Sequence, residues 1–217
     1  MSDNFKTIAS AGFFELVEKK SRFLGYAMPI STPADADAFI AKIKSEHPDA
    51  RHHVFAYAVG GLDGSAEVRR MSDDGEPQGT GGVPCLDVIT KKGLRCTVVV
   101  VVRYFGGILL GAPGLVRAYG KAAAGAVDAA GENLMIRCRK VTITADYQLY
   151  GKMLYLGENS GYKMDPPVFD ETVSFDLTIP EEKAEEYATY IRDVSNTRAT
   201  ADVSEETFFC VESDVIL

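Results

Sequence analysis

Thr97–Lys121 reads TVVVVVRYFGGILLGAPGLVRAYGK, and it joins three kinds of local structure in one stretch. Val98 to Val102 are consecutive β-branched residues. A strand buried on both faces needs no polar alternation, so the run predicts a central, doubly covered strand. The run stops at Arg103, Tyr104 and Phe105, and Gly106, Gly107, Gly111 and Gly114 follow. The alanine-rich segment Gly114–Ala130 then predicts a helix, with Gly131 as its terminator. Such a junction sets free backbone N–H groups and a positive dipole end beside a strand terminus, where anions bind.

Upstream of this stretch, Phe13–Lys20 and Arg22–Pro29 alternate loosely as two strands. Ser31-Thr32-Pro33 supplies a cap and a first-turn proline, and Asp35 and Asp37 favour the dipole, so Ala34–Glu46 reads as a helix ending before Pro48. His53–Val59 and Ala66–Met71 read as a hairpin around a Gly60–Gly64 turn. A loop, Asp73–Gly82, leads into a short helix, Val83–Lys92.

After Arg137 the pattern restarts. Lys140–Tyr147, Gly161–Phe169, Val173–Ile179 and Arg198–Val211 read as strands, with helices at Leu149–Asn159 and from Pro180 to about Ser195. The order βαββαβ is the ferredoxin-like, split-βαβ plan. The expected fold class is therefore α+β. It comprises an N-terminal α/β domain over residues 1–137 and a small ferredoxin-like domain over 138–217, joined by a short linker near Arg137–Lys140.

Charge divides along the same line. The chain has 217 residues and a net charge of −8. Residues 1–137 hold 16 Lys+Arg against 15 Asp+Glu, whereas residues 138–217 hold 7 against 16. Contact with a phosphate backbone is therefore expected of the first half alone. No apolar run approaches the roughly 20 residues of a spanning helix, and MSDNFKTIAS lacks a secretory pattern, so no membrane partner is expected. Cys85, Cys96, Cys138 and Cys210 are scattered without a C-x-x-C pair, which suits reduced thiols in a cytoplasmic protein and no structural zinc.

Three constellations carry chemistry. The first is the opening junction, with Arg103 at a strand end and Arg117 and Lys121 four apart on the helix. It reads either as an anion site built from the Gly106–Gly114 amides and an arginine, or as a tight turn whose arginines pair with carboxylates. Its spacing is neither a Walker loop nor G-x-G-x-x-G. The second is Met71–Pro84, MSDDGEPQGTGGVP. Here Asp73, Asp74, Glu76 and Thr80 could partner Arg103, hold a divalent cation near a phosphate, or form a solvated turn. The third is Arg51-His52-His53 together with Lys19-Lys20-Ser21-Arg22. Adjacent histidines on a strand face opposite ways and cannot jointly chelate one ion. His53 as a general base lacks any recognisable nucleophile context.

Together these segments resemble the YigZ/IMPACT family. The resemblance rests on Lys20-Ser21-Arg22-Phe23, on HVFAYAVG at His53–Gly60, on SDDGEPQGTGGVP at Ser72–Pro84, and above all on RYFGGILLGAPGLVRAY at Arg103–Tyr119. It covers essentially the whole chain in the bacterial two-domain form. Gly81-Gly82-Val83 and Ala112-Pro113 depart from the common pattern and weaken any role assigned to side chains at 83 or 113. The resemblance implies a first domain like a small-subunit ribosomal protein, the protein part of ribonuclease P and domain IV of elongation factor G. It implies a second domain similar to domain V of that factor. Eukaryotic relatives restrain a starvation-activated kinase by competing for its activator, a partner system absent from bacteria.

The expected function is a non-enzymatic, translation-associated regulatory or binding protein that contacts RNA, the ribosome or a ribosome-bound partner. The alternative is a sensor or enzyme for a small phosphorylated ligand. Candidate binding residues are Lys20, Arg22, His53, Asp73, Asp74, Glu76, Thr80, Arg103, Tyr104, Phe105, Gly106, Gly107, Gly111, Gly114 and Arg117. No catalytic residue, metal ligand or cofactor is assigned, and the sequence leaves the oligomeric state open.

Overall fold

The computed structural model describes residues 4–61 and 66–216, so the expected turn at Gly60–Gly64 lies largely outside the described residues. The chain forms two compact units, one of Phe5–Asn133 and one of residues 134–216 with Asn4.

In the first unit, β1 (Phe5–Ile8), β2 (Gly12–Glu18) and β3 (Ser21–Pro29) precede α1 (Pro33–Glu46). There follow β4 (His52–Gly60), β5 (Glu67–Ser72), α2 (Gly82–Lys91), β6 (Thr97–Tyr104) and α3 (Ala112–Ala130). Five strands form one sheet in the order β2-β3-β6-β4-β5, and every pairing in it is antiparallel. The α/β expectation for this unit is corrected accordingly. Arg103 does not sit at the carboxyl edge of a parallel sheet; it lies opposite His52 on one side and Phe23 on the other. The β2–β3 turn and the segment that follows β5 lie at that end.

The valine strand is central and covered on both faces, as its composition demands. Val98 to Val102 are all fully buried. Val99 and Val101 join the core built with α2 and α3. By strand alternation Val98, Val100 and Val102 point the other way, toward the face on which α1 packs over β4 and β6. The start of α1 is a capping box: Thr32 accepts from the Asp35 amide, and Asp35 accepts from the Thr32 amide.

Helix α3 lies unusually close to the sheet. A Cβ on Gly12 would fall 2.1 Å from the Ala126 carbonyl oxygen, and one on Gly25 would fall 2.3 Å from that of Ala122. Glycine is required at both positions for the helix to lie where it does. The buried stripe of α3 is Ala118, Ala122, Ala126 and Ala130, with Ala129 exposed.

In the second unit, β7 (Glu132–Ala145), α4 (Tyr147–Glu158), β8 (Lys163–Met164), β9 (Val168–Phe169), β10 (Val173–Pro180), α5 (Glu181–Val194), β11 (Thr200–Val203) and β12 (Phe208–Val211) follow in turn. The expected linker at 137–140 is instead part of β7, and the two units divide at Asn133, near that strand's start. Antiparallel pairing sets the order β11-β7-β10-β8, with β9 on β10 and β12 on β7. Among the described residues no helix is long and apolar enough to cross a membrane.

Candidate functional site

The SDDGEP loop is consumed internally. Asp73 accepts three backbone N–H bonds, from Gly79 at 2.8 Å, Gly81 at 2.9 Å and Gly82 at 2.8 Å. Gly81 and Gly82 open α2, so the anion at this helix start is the chain's own carboxylate. Burial opposes the Asp73 charge, but the three donors outweigh it and hold the carboxyl below its ordinary value. Gly81 has no room for a side chain, because a Cβ would lie 2.9 Å from Val54.

Asp74 ties the loop to β4 and α1. Its carboxylate accepts from the His53 amide at 2.7 Å and from Lys44 at 3.1 Å, and these bonds hold it below the ordinary value against the opposing effect of burial. His52 Nδ1 bonds the Asp74 carbonyl at 2.9 Å, and His53 Nε2 bonds the His47 carbonyl at 3.0 Å. The two histidines face opposite ways, each fixed to backbone. Thr80 is buried and donates to the Pro77 carbonyl at 2.7 Å.

Arg103 and Glu76 are buried, at 6% and 9% exposure. Arg103 Nη1 donates to Glu76 Oε1 at 2.5 Å, and the Tyr119 hydroxyl donates to the same oxygen at 2.8 Å. The guanidinium also lies 5.4 Å from the Phe23 ring centre and 5.5 Å from that of Phe105. Burial, with Glu76 beside it, pushes the Tyr119 hydroxyl pKa far up, so it remains a donor. Of the two readings of the opening junction, Arg103 follows the one in which an arginine pairs with a carboxylate. The structure brings Arg103 and Glu76 together with Tyr119, whereas Asp73, Asp74 and Thr80 brace the same loop through backbone groups and Lys44; Arg103 Nε is buried with no hydrogen-bond partner among the described residues.

Arg117 lies elsewhere. It shares a cleft of about 80 Å³ with Glu18, Lys19 and Lys121, over a floor that includes Leu16 and Leu110. Gly114, in the first turn of α3, lines the same cleft, and first-turn amides have no acceptor within their own helix. The α3 start carries no capping side chain and no acid in its first turn. Lys19 and Lys20 form the β2–β3 turn in left-handed backbone, at φ 47° and 65°.

Gly106 fixes that turn against the loop. Its amide donates to Ser21 Oγ at 3.2 Å, and a Cβ there would strike the Lys20 carbonyl carbon at 2.0 Å. Arg22 donates to Glu15 at 2.7 Å and lies 5.9 Å from the Tyr104 ring centre. Phe105 is half-exposed. Gly107 and Gly111, at φ 83° and 72°, lie in open space.

Pairing separates the cations sharply. In the first unit Lys6, Arg22, Lys42, Lys44, Arg69, Arg70, Lys91, Lys92 and Arg103 all have carboxylate partners. Among the described residues Lys19, Lys20, Arg51, Arg95, Arg117 and Lys121 have none, and three of these six, Lys19, Arg117 and Lys121, line one cleft. The sequence singled out Lys20 and Arg117 as site residues; the structure adds Lys19 and Lys121. The four-residue spacing of Arg117 and Lys121 was the available signal. The convergence of Lys19 on them was not readable, because it depends on the hairpin packing against α3.

Fold and site together define a two-unit α+β protein whose first unit carries a cleft lined by three cations and one carboxylate, Glu18. A model of the Impact N-terminal domain matches residues 19–127. The IMPACT family member YvyE of Bacillus subtilis (strain 168) is 35% identical over 208 residues, covering 96% of this chain and 94% of that protein. The IMPACT family member YigZ of Escherichia coli (strain K12) is 37% identical over 182 residues, covering 82% and 86%. A crystal structure described as that of a hypothetical protein superposes with a TM-score of 0.61 at 31% identity, covering 95% of this chain and all of that one. The chain belongs to the IMPACT family.

Proposed function

We propose that this IMPACT-family protein is a non-enzymatic, translation-associated binding protein whose first unit contacts RNA, on the ribosome or free. The observation that carries the reading is the segregation of charge. In a chain of net charge −8, four of the first unit's six cations without a carboxylate partner, Lys19, Lys20, Arg117 and Lys121, gather at the hairpin turn and the start of α3. Uncompensated positive charge at one place costs self-repulsion, and a polyanion relieves it by counterion release.

The strand order of the second unit is that of a split-βαβ domain. This supports likening it to domain V of elongation factor G. The volume of the cleft, about 80 Å³, weighs against a small phosphorylated metabolite. Sites that enclose such ligands run to roughly 300–1,000 Å³. One phosphate group at the cleft mouth suits it better. Gradient sedimentation of the protein with ribosomal particles and with free RNA tests the reading: co-migration at low salt that fades as salt rises is expected. Absence of co-migration at any salt concentration contradicts it.

A further inference from the structure

We infer that the open half of the first unit's sheet, around Phe13, Tyr26 and Tyr104, is a platform on which unpaired bases of single-stranded RNA stack. The inference rests on the RNA-binding reading above and specifies which form of RNA is bound.

Helix α1 packs chiefly over β4 and β6 on its side of the sheet and reaches β5 through the Asp37–Arg70 pair. Strand alternation directs Phe13, Glu15 and Val17 of β2, and Arg22, Tyr26 and Met28 of β3, to that same side beyond the helix. Phe13 and Val17 are 51% and 60% exposed. The rings form a continuous row. Phe13 and Tyr26 have centroids 5.1 Å apart, Tyr26 and His47 5.5 Å, and His47 and Tyr104 6.0 Å.

The row is held rigid before any ligand arrives. The Tyr26 hydroxyl meets His47 Nε2 at 2.7 Å, and the Tyr104 hydroxyl meets His47 Nδ1 at 2.9 Å. Burial lowers the His47 pKa, so the imidazole stays neutral at neutral pH, with one donor and one acceptor nitrogen. One tyrosine therefore donates to His47 and the other accepts from it. The accepting tyrosine keeps its own O–H hydrogen for a base edge. Rings fixed in place lose little entropy on binding.

Charge selects the occupant. The platform ends at the β2–β3 turn, where Lys19 and Lys20 are unpaired and where the Gly106 backbone packs on Lys20. Arg22, paired with Glu15, stands between the turn and the rings. A strand can thus set phosphates on the turn and lay bases on the rings, the arrangement used by sheet platforms for single strands. A duplex keeps its bases stacked inside and offers none to the rings.

Fluorescence anisotropy on the full chain tests this with a short labelled single-stranded RNA, the same strand annealed to its complement, and inorganic polyphosphate as a competitor. Wild type is expected to prefer the single strand. Because base stacking on an aromatic ring contributes about 1–3 kcal/mol, Phe13→Ala should weaken single-strand binding about tenfold, with polyphosphate competition unchanged and Phe13→Trp restoring affinity. Circular dichroism of each variant monitors the fold. Equal affinity of wild type and Phe13→Ala for the single strand, or equal wild-type affinity for single strand and duplex, overturns the platform and leaves the RNA-binding reading intact. Failure of wild type to bind any of the three polyanions removes the RNA-binding reading and the platform with it.

Discussion

Helices α2 and α3 both begin after glycine-rich stretches, GTGG and GGILLG, yet the two starts are treated in opposite ways. At α2 the Asp73 carboxylate satisfies three backbone donors, and the adjacent Arg103 is neutralised by Glu76. At α3 there is no acid in the first turn, and Lys19, Arg117 and Lys121 flank it without partners. Glycine content alone therefore says nothing about ligand binding. What differs is whether the chain supplies its own anion. The α2 side is a structural core, and the α3 side is left for something negatively charged.

Substitutions should break this contrast to different degrees. The largest effect is expected from Arg103→Ala, which leaves Glu76 buried and charged. Removing one partner of a buried pair costs about 3–5 kcal/mol, read as a fall in the urea midpoint. Replacing Arg103 and Glu76 together by Met and Leu should cost less than Arg103→Ala alone. If Arg103→Ala retains wild-type stability, the buried Arg103–Glu76 pair is not structural.

Asp73→Ala should cost about 2 kcal/mol, since it strands buried N–H donors at a helix start. The pH dependence follows from the lowered carboxyl pKa of Asp73. A depressed folded value gives a contribution that is full above the ordinary unfolded value of about 4 and is lost as pH falls through the lower folded one. The gap between wild type and Asp73→Ala should therefore narrow on acidification, measured as melting temperature against pH. A constant gap would mean that the charge of Asp73 is not what holds the loop.

Arg117→Glu and Lys121→Glu should change stability by less than about 0.5 kcal/mol, because surface positions without partners are tolerant. Unfolding that moves by several kcal/mol in either variant would show that these cations do structural work and would blur the contrast with Arg103.

Much of the fold was legible because local rules were obeyed. Five valines in a row can only be a strand sheltered on both sides, and Thr32-Pro33 with Asp35 marks a helix start regardless of context. β1 is four residues long, too short to show periodicity. The expected strand starts at Lys140 after a linker near Arg137–Lys140; the alternation instead runs from Glu132, where β12 pairs alongside. The candidate site was legible only as a set of charges. Nothing local joins Arg103 to Glu76 across 27 residues, or Tyr26 and Tyr104 to His47. Those links are made by the antiparallel order of the strands, and the sequence pattern does not state that order.

The central claim is that the unpaired cations, and not Arg103, meet the polyanion. It is tested most directly by the salt dependence of RNA binding for wild type and for the Lys19→Glu, Arg117→Glu, Lys121→Glu triple variant. Each phosphate neutralised contributes roughly 0.7 to the slope of log affinity against log salt for a single strand. A shallower slope and a large loss of low-salt affinity are expected for the triple variant, with its unfolding midpoint unchanged. An unchanged slope with unchanged affinity would contradict it.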